Sequence, residues 1–238
     1  MRRLSNKTGH HSREGVEKVT TRRILVAVTG LICASAVATT LLIVTSAGGA
    51  TVNTTPAASE MTVFSSARAA SDVLPQTIAS SAAALQAGAA GLPASEQPGS
   101  AVTNESRLLL SGQGNPQADL YAVPTSSGEV CYLLSLGPAT CVAALGGTNA
   151  VGWTVADPDT LGSGSPLMVF GITPDNVSQV DIVVNGTAHA ATLKNNGFFY
   201  QLADSQDLPS AITAIKVTYS DGSSDTISPN LVDPKPAP

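Results

Sequence analysis

From Arg107 to Ser228 the chain is divided into eleven short apolar runs, none longer than eight residues, separated by Gly, Pro, Asn, Asp and Ser. The runs are "RLLLS", "ADLYAVP", "EVCYLLS", "TCVAAL", "VGWTVAD", "PLMVFGIT", "SQVDIVVN", "TAHAATL", "GFFYQL", "TAIKVTYS" and "SDTIS". Segments this short are strands rather than helices, because a helix of ordinary length needs an apolar stripe over about 10 residues or more. The predicted fold class is mainly β, an antiparallel sandwich or meander over residues 105–230. Val180, Ile182 and Val184 alternate with Asp181 and Val183, and Ile215, Val217 and Tyr219 with Lys216 and Thr218, so one set in each strand faces a core. Asn185-Gly186, Asn196-Gly197 and Asp221-Gly222 tolerate positive φ and close tight hairpins, which predicts a continuous meander over 178–228.

The N-terminal part obeys a different constraint. Ile24 to Ala47 carries no charge, and a helix needs about 20 apolar residues to cross a hydrocarbon core. Seven of the chain's 12 Lys and Arg precede it, within residues 1–23, and the next charged residue after it is Glu60. That asymmetry places the N-terminus in the cytoplasm and the rest outside. Residues 1–23 then form a basic cytoplasmic tail, 24–47 a transmembrane helix and 48–59 a flexible spacer. A cleaved signal peptide is the alternative. "TSAGGA" offers small residues for cleavage, but the apolar stretch exceeds the usual length of about 7–15 residues. Either way the C-terminal part is exported. Cys33 reads as a small apolar residue within the span. Gly30, Ala34 and Ala38 are spaced to allow a second helix close approach.

Residues 60–104 are predicted to be an Ala-rich helical element and a loop. Val63, Phe64, Ala67 and Ala70 follow helical spacing, Pro75 interrupts, and a second helix runs from about Gln76 to Ala87. Residues 231–238, rich in proline, are predicted to be disordered.

Four stretches taken in order, "VFSSARAASDVLP", "ADLYAVPTSSGEVCYLL…TCV", "VFGITPDNVSQVDIVVNGTAHAATLKNNGFFYQL" and "VTYSDGS", resemble the landmarks of a group of uncharacterised exported or membrane-anchored actinobacterial proteins. The resemblance covers roughly residues 61–228. It implies a helical "VF…R…D.LP" element ahead of a β domain with a cysteine hairpin. It implies location and architecture, and no activity.

Beyond residue 23 there are five basic and fifteen acidic residues, so this part repels phosphate and nucleic acid is excluded as a partner. No nucleophile elbow, zincin helix or phosphate loop is present, and "SGQGNPQ" lacks a lysine. His189 is the one histidine of the exported part and reads as a structural strand residue. Asp157 with Asp159, and Asp221 with Asp225, offer oxygens of the kind calcium takes. The second pair lacks the downstream glutamate of a calcium loop and reads as a hairpin tip. No catalytic, cofactor or metal residue is assigned.

Cys131 and Cys141 lie either side of Gly137-Pro138. With the bend near Leu136, Cys131 opposes Cys141 and Leu133 opposes Ala139. Export favours a disulfide, since four metal ligands and a two-residue redox spacing are both missing. The sequence thus describes a single-pass, membrane-anchored extracytoplasmic protein, a non-enzymatic module that binds a protein or cell-envelope partner. The alternatives are a structural or sensory accessory of another membrane protein, or an envelope hydrolase built on carboxylates.

Overall fold

The computed structural model describes residues 56–91, 93, 97–146, 150–162, 165–203, 209–229 and 231, all within one compact unit. The basic tail, the 24–47 span with Cys33, residues 48–55 of the spacer and all of 232–238 lie outside the described residues. Among those described, no helix is long and apolar enough to cross a membrane.

In the described residues twelve strands form three antiparallel four-stranded sheets. The first is a meander of β1 (Arg107–Gln113), β2 (Ala118–Pro124), β3 (Val130–Leu134) and β4 (Ala139–Val142). The second has the order β5-β6-β10-β9, from β5 (Gly152–Ala156), β6 (Met168–Ile172), β9 (Thr192–Lys194) and β10 (Gly197–Gln201). The third has the order β12-β11-β7-β8, from β7 (Val177–Val184), β8 (Thr187–Ala190), β11 (Ile212–Tyr219) and β12 (Ser224–Ile227). The last two pack face to face. Lettered along the chain, their strands read A-B-E-D against G-F-C-C′, the strand order of immunoglobulin-type sandwiches.

The layers follow from the side-chain period of two. Leu120 and Ala122 of β2, with Val130, Tyr132 and Leu134 of β3, point at the second sheet and meet Met168, Phe170, Ile172 and Phe199. The edge of the Tyr132 ring meets Phe170, with centroids 6.1 Å apart at 82°. The intervening residues Tyr121, Val123, Cys131 and Leu133 point the other way and are covered by Ile78, Ala82 and Leu85 of helix α1 (Gln76–Ala89). On β6, Val169 turns from the first core to the second, where it joins Leu167, Trp153, Phe198, Val180, Ile182, Ile215 and Val217. The result is four layers, helix, sheet, sheet, sheet, with three cores between them. Both middle sheets are buried on two faces, which explains why β3 and β6 carry no polar alternation at all.

Each of the eleven apolar runs lies on a strand, and the core faces of β7 and β11 are those the alternation gives. Three details differ. "TAHAATL" is two strands, because the Ala191 amide donates to Val180 O and the chain there passes from the third sheet to the second. Residues 178–228 are therefore no simple meander. The expected Asn196-Gly197 turn is displaced by one residue: Asn195 and Asn196 hold φ 50° and 64°, and Gly197 pairs with Lys194 in the ladder. Gly197 serves close approach instead, since a Cβ there would stand 2.6 Å from Leu109 Cβ on β1. Gly171 does the same inside β6, where a Cβ would strike the Gly152 carbonyl and the Phe198 ring. Finally, residues 61–72 are not an α-helix. They form isolated 3-10 turns at Thr62–Phe64 and Ala70–Asp72, preceded by Ala57–Glu60. The second expected helix is α1, two residues longer than predicted.

The chain ends also differ from the sequence boundaries. Ala57 is fully buried and belongs to the body rather than to a spacer, and Leu231 packs on the sandwich core. Gly197→Ala is expected to cost about 1–3 kcal/mol through overpacking. Gly88→Ala on α1, where a Cβ meets nothing within 4 Å, is expected to gain up to about 1 kcal/mol. Urea unfolding midpoints of the two variants should move in opposite directions.

Candidate functional site

A dense polar cluster lies where residues 56–75 wrap the body. Arg107, at the start of β1, is only 7% exposed. Its guanidinium donates five hydrogen bonds, all to main-chain carbonyls. Nε donates to Val63 O at 3.0 Å, and Nη1 to Glu105 O and Ser106 O at 2.9 and 3.0 Å. Nη2 donates to Phe64 O and Ser66 O at 3.1 and 2.9 Å, and the cation stands 6.0 Å from the Phe64 ring centroid. A helix over 61–72 would need the Val63, Phe64 and Ser66 carbonyls for its own amides. In the strap these carbonyls accept from Arg107 instead.

Two carboxylates continue the clamp. Asp175, in the loop before β7, accepts from Thr62 N at 2.9 and 3.0 Å, from Thr62 Oγ1 at 3.0 Å and from Asn196 Nδ2 at 2.9 Å. Asp72 accepts from Ala69 N at 2.7 Å and Leu108 N at 2.9 Å. Ser106 Oγ and Arg68 both donate to the Asp72 carbonyl. The strap enters beside the open end of the β3–β4 hairpin, where Ala57 N donates to Ala143 O and Ala58 N to Gly128 O. Met61 is carried into the core between the first two sheets. The residues of "VFSSARAASDVLP" and "ITPDNV" are thus a mechanical joint. The joint leaves no mark in the sequence, because nothing there shows that an arginine's partners are carbonyls.

Cys131 and Cys141 are directly opposed on β3 and β4, with Leu133 opposite Ala139, in the register the sequence implies. Their sulfurs are 2.00 Å apart, at disulfide distance. The pair sits beneath α1 in the helix-facing core.

At the other end of this hairpin an open groove of about 460 Å³ separates α1 from the tip at Ser135–Gly137. Thr77, Ile78, Ser80, Ser81 and Ala84 form the helix side, and Ser135, Leu136 and Gly137 the hairpin side. No titratable side chain lines it, so the groove offers hydroxyls and apolar surface and no acid or base to activate a nucleophile.

The remaining sequence candidates are dispersed. His189 on β8 stacks on Tyr200 of β10, with ring centroids 5.5 Å apart at 27°, and acts as a packing residue. Asp157 precedes the short helix α2 (Pro158–Leu161) and is half-buried. The side chain of Asp159 lies outside the description. Asp221 Oδ1 accepts from Ser223 N and Oγ at 2.8 and 2.6 Å, which closes the hairpin tip and lowers its pKa. Asp225 accepts from Tyr219 Oη at 2.8 Å. Among the described residues no three His, Cys, Asp or Glu side chains gather to hold a metal ion, and no buried side-chain nitrogen or oxygen lacks a hydrogen-bond partner.

No protein family, curated protein or solved structure matches this chain. The sandwich strand order therefore carries architecture and no activity.

Two outcomes follow from the local physics. Arg107→Met leaves several carbonyls without donors and is expected to lower unfolding stability by about 3 kcal/mol or more. Arg107→Lys should recover only part of this, since an ammonium has three donors where the guanidinium has five. Denaturant unfolding of the three proteins checks the order. Burial, then the Asp225 hydrogen bond and the Asp225 and Asp221 charges, push the Tyr219 phenol from 10.0 to about 12. The folded chain then holds this proton where the unfolded chain has lost it. The Tyr219 contribution is intact below pH 10 and is lost as pH rises to about 12. Phenolate absorbance should show the Tyr219 step, absent in Tyr219→Phe and shifted to lower pH in Asp225→Asn.

Proposed function

We propose that this protein is a membrane-anchored, extracytoplasmic binding module, and that the groove between α1 and the β3–β4 tip receives a protein or cell-envelope partner. One observation carries the reading. The charged side chains of the clamp are consumed in holding the strap, whereas the groove beside α1 is lined by hydroxyl-bearing and apolar side chains. That is the composition of a recognition surface and not of a catalytic cleft. The anchor rests on the uncharged 24–47 stretch with its preceding basic residues, and the cysteine pair suits an oxidising compartment.

Placement within the body supports the same reading. The described chain enters at the open end of the β3–β4 hairpin, beside Gly128 and Ala143, and the groove lies at the opposite, tip end. A tether at one end leaves the other free for a partner.

The test uses the full chain in cells, with a photoreactive residue at Ala84 in the groove or at Gln179 on the outer face of β7. The Ala84 probe is expected to give a discrete crosslinked species in the membrane fraction that external protease degrades, and the Gln179 probe none. Crosslinking from Gln179 alone overturns the groove. Release of the protein by alkaline washing, or its protection from external protease, overturns the anchored, exported reading.

A further inference from the structure

Three tight turns of the sandwich pair an Asn or Asp with a following glycine, and the structure treats them differently. At Asn196-Gly197 the carboxamide is held, its Nδ2 donating to Thr173 O at 3.1 Å and Asp175 Oδ1 at 2.9 Å. Gly197 is buried against Leu109 within the β10 ladder. At Asp221-Gly222 the carboxylate is engaged by Ser223. At Asn185-Gly186 both residues are exposed, the Asn185 side chain makes no hydrogen bond to any described residue, and a Cβ on Gly186 would meet nothing within 4 Å. The strand that follows, β8, is a four-residue sheet edge with three of its residues exposed, so opening this hairpin locally disturbs little of the core.

We infer that Asn185 is a site of spontaneous covalent modification, converting to aspartate and isoaspartate, while Asn196 is protected by the clamp. In the reaction the Gly186 amide gives its proton to hydroxide and its nitrogen attacks Asn185 Cγ. The new C–N bond closes a five-membered imide, the Cγ–Nδ2 bond breaks, and ammonia leaves with a proton taken from water. A second water opens the ring at either carbonyl. The sum is one amide and one water converted to a carboxylate and ammonium, with no oxidant or reductant. Attack by the nitrogen requires that the amide rotate out of its hairpin geometry. This is why exposure of the turn and the weak hold of β8 decide the site, rather than the Asn-Gly dipeptide, which both positions share. The product adds a negative charge to a surface already short of cations. In its isoaspartyl form it also adds a backbone atom to a two-residue turn.

The test is independent of the groove. Full-length protein is held at pH 9 and 37 °C, folded or in denaturant, and the peptides spanning 185 and 196 are followed by mass spectrometry with isoaspartate detection. In the folded protein Asn185 is expected to convert about tenfold or more faster than Asn196, and in denaturant the two should approach each other. Equal rates in the folded protein overturn the inference. So does an Asn185 that stays intact while the denatured chain converts.

Discussion

A buried guanidinium that meets main-chain carbonyls, with no carboxylate paired to it among the described residues, is the constraint around which this fold is arranged. A charge removed from water must have its donors satisfied. Arg107 meets that requirement with five carbonyls drawn from the strap and from the residues just before β1. The strap supplies three of them, and none of those three carbonyls accepts a helical amide. Because it is held open, Ala57 and Met61 reach the core between the first two sheets. Asp175 ties the same strap to the sandwich, and Asp72 ties it to β1. The meander and the sandwich are thereby joined through polar contacts at their rim as well as through apolar contacts between their faces.

The strands could be read in the sequence because each is a short apolar run closed by residues that favour turns. The cysteine register followed from counting outward from Leu136. What could not be read was which face of each strand met which layer. β3 and β6 are apolar throughout, so alternation, the one local signal of sidedness, is missing there. The break at Ala191 left no trace either, since it depends on a hydrogen bond to Val180 across the sheet. At Asn195 the turn moved by one residue because Gly197 was needed against Leu109, and that contact joins residues 88 positions apart.

The candidate site was less visible still. Ser80, Ser81 and Ala84 resemble any helix surface, and Ser135 to Gly137 resemble any turn. Only the packing of Ile78 and Leu85 onto the first sheet brings the two sets together. The residues that attract attention in a search for chemistry are each held by a neighbour: His189 by Tyr200, Asp221 by Ser223 and Asp225 by Tyr219.

The double burial of β6 has a consequence for how its alignment is encoded. In a strand with one wet face, a slip of one residue sends apolar groups into water and is rejected on polarity. In β6 such a slip would exchange Met168, Phe170 and Ile172 with their equally apolar neighbours, and solvation would register almost no difference. Discrimination falls to volume. Gly171, wedged between the Gly152 carbonyl and the Phe198 ring, is the position where any other side chain is too large. This inner strand is thus located by an absence of atoms, and a sequence that kept its hydropathy but filled that gap would lose the information that sets the pairing.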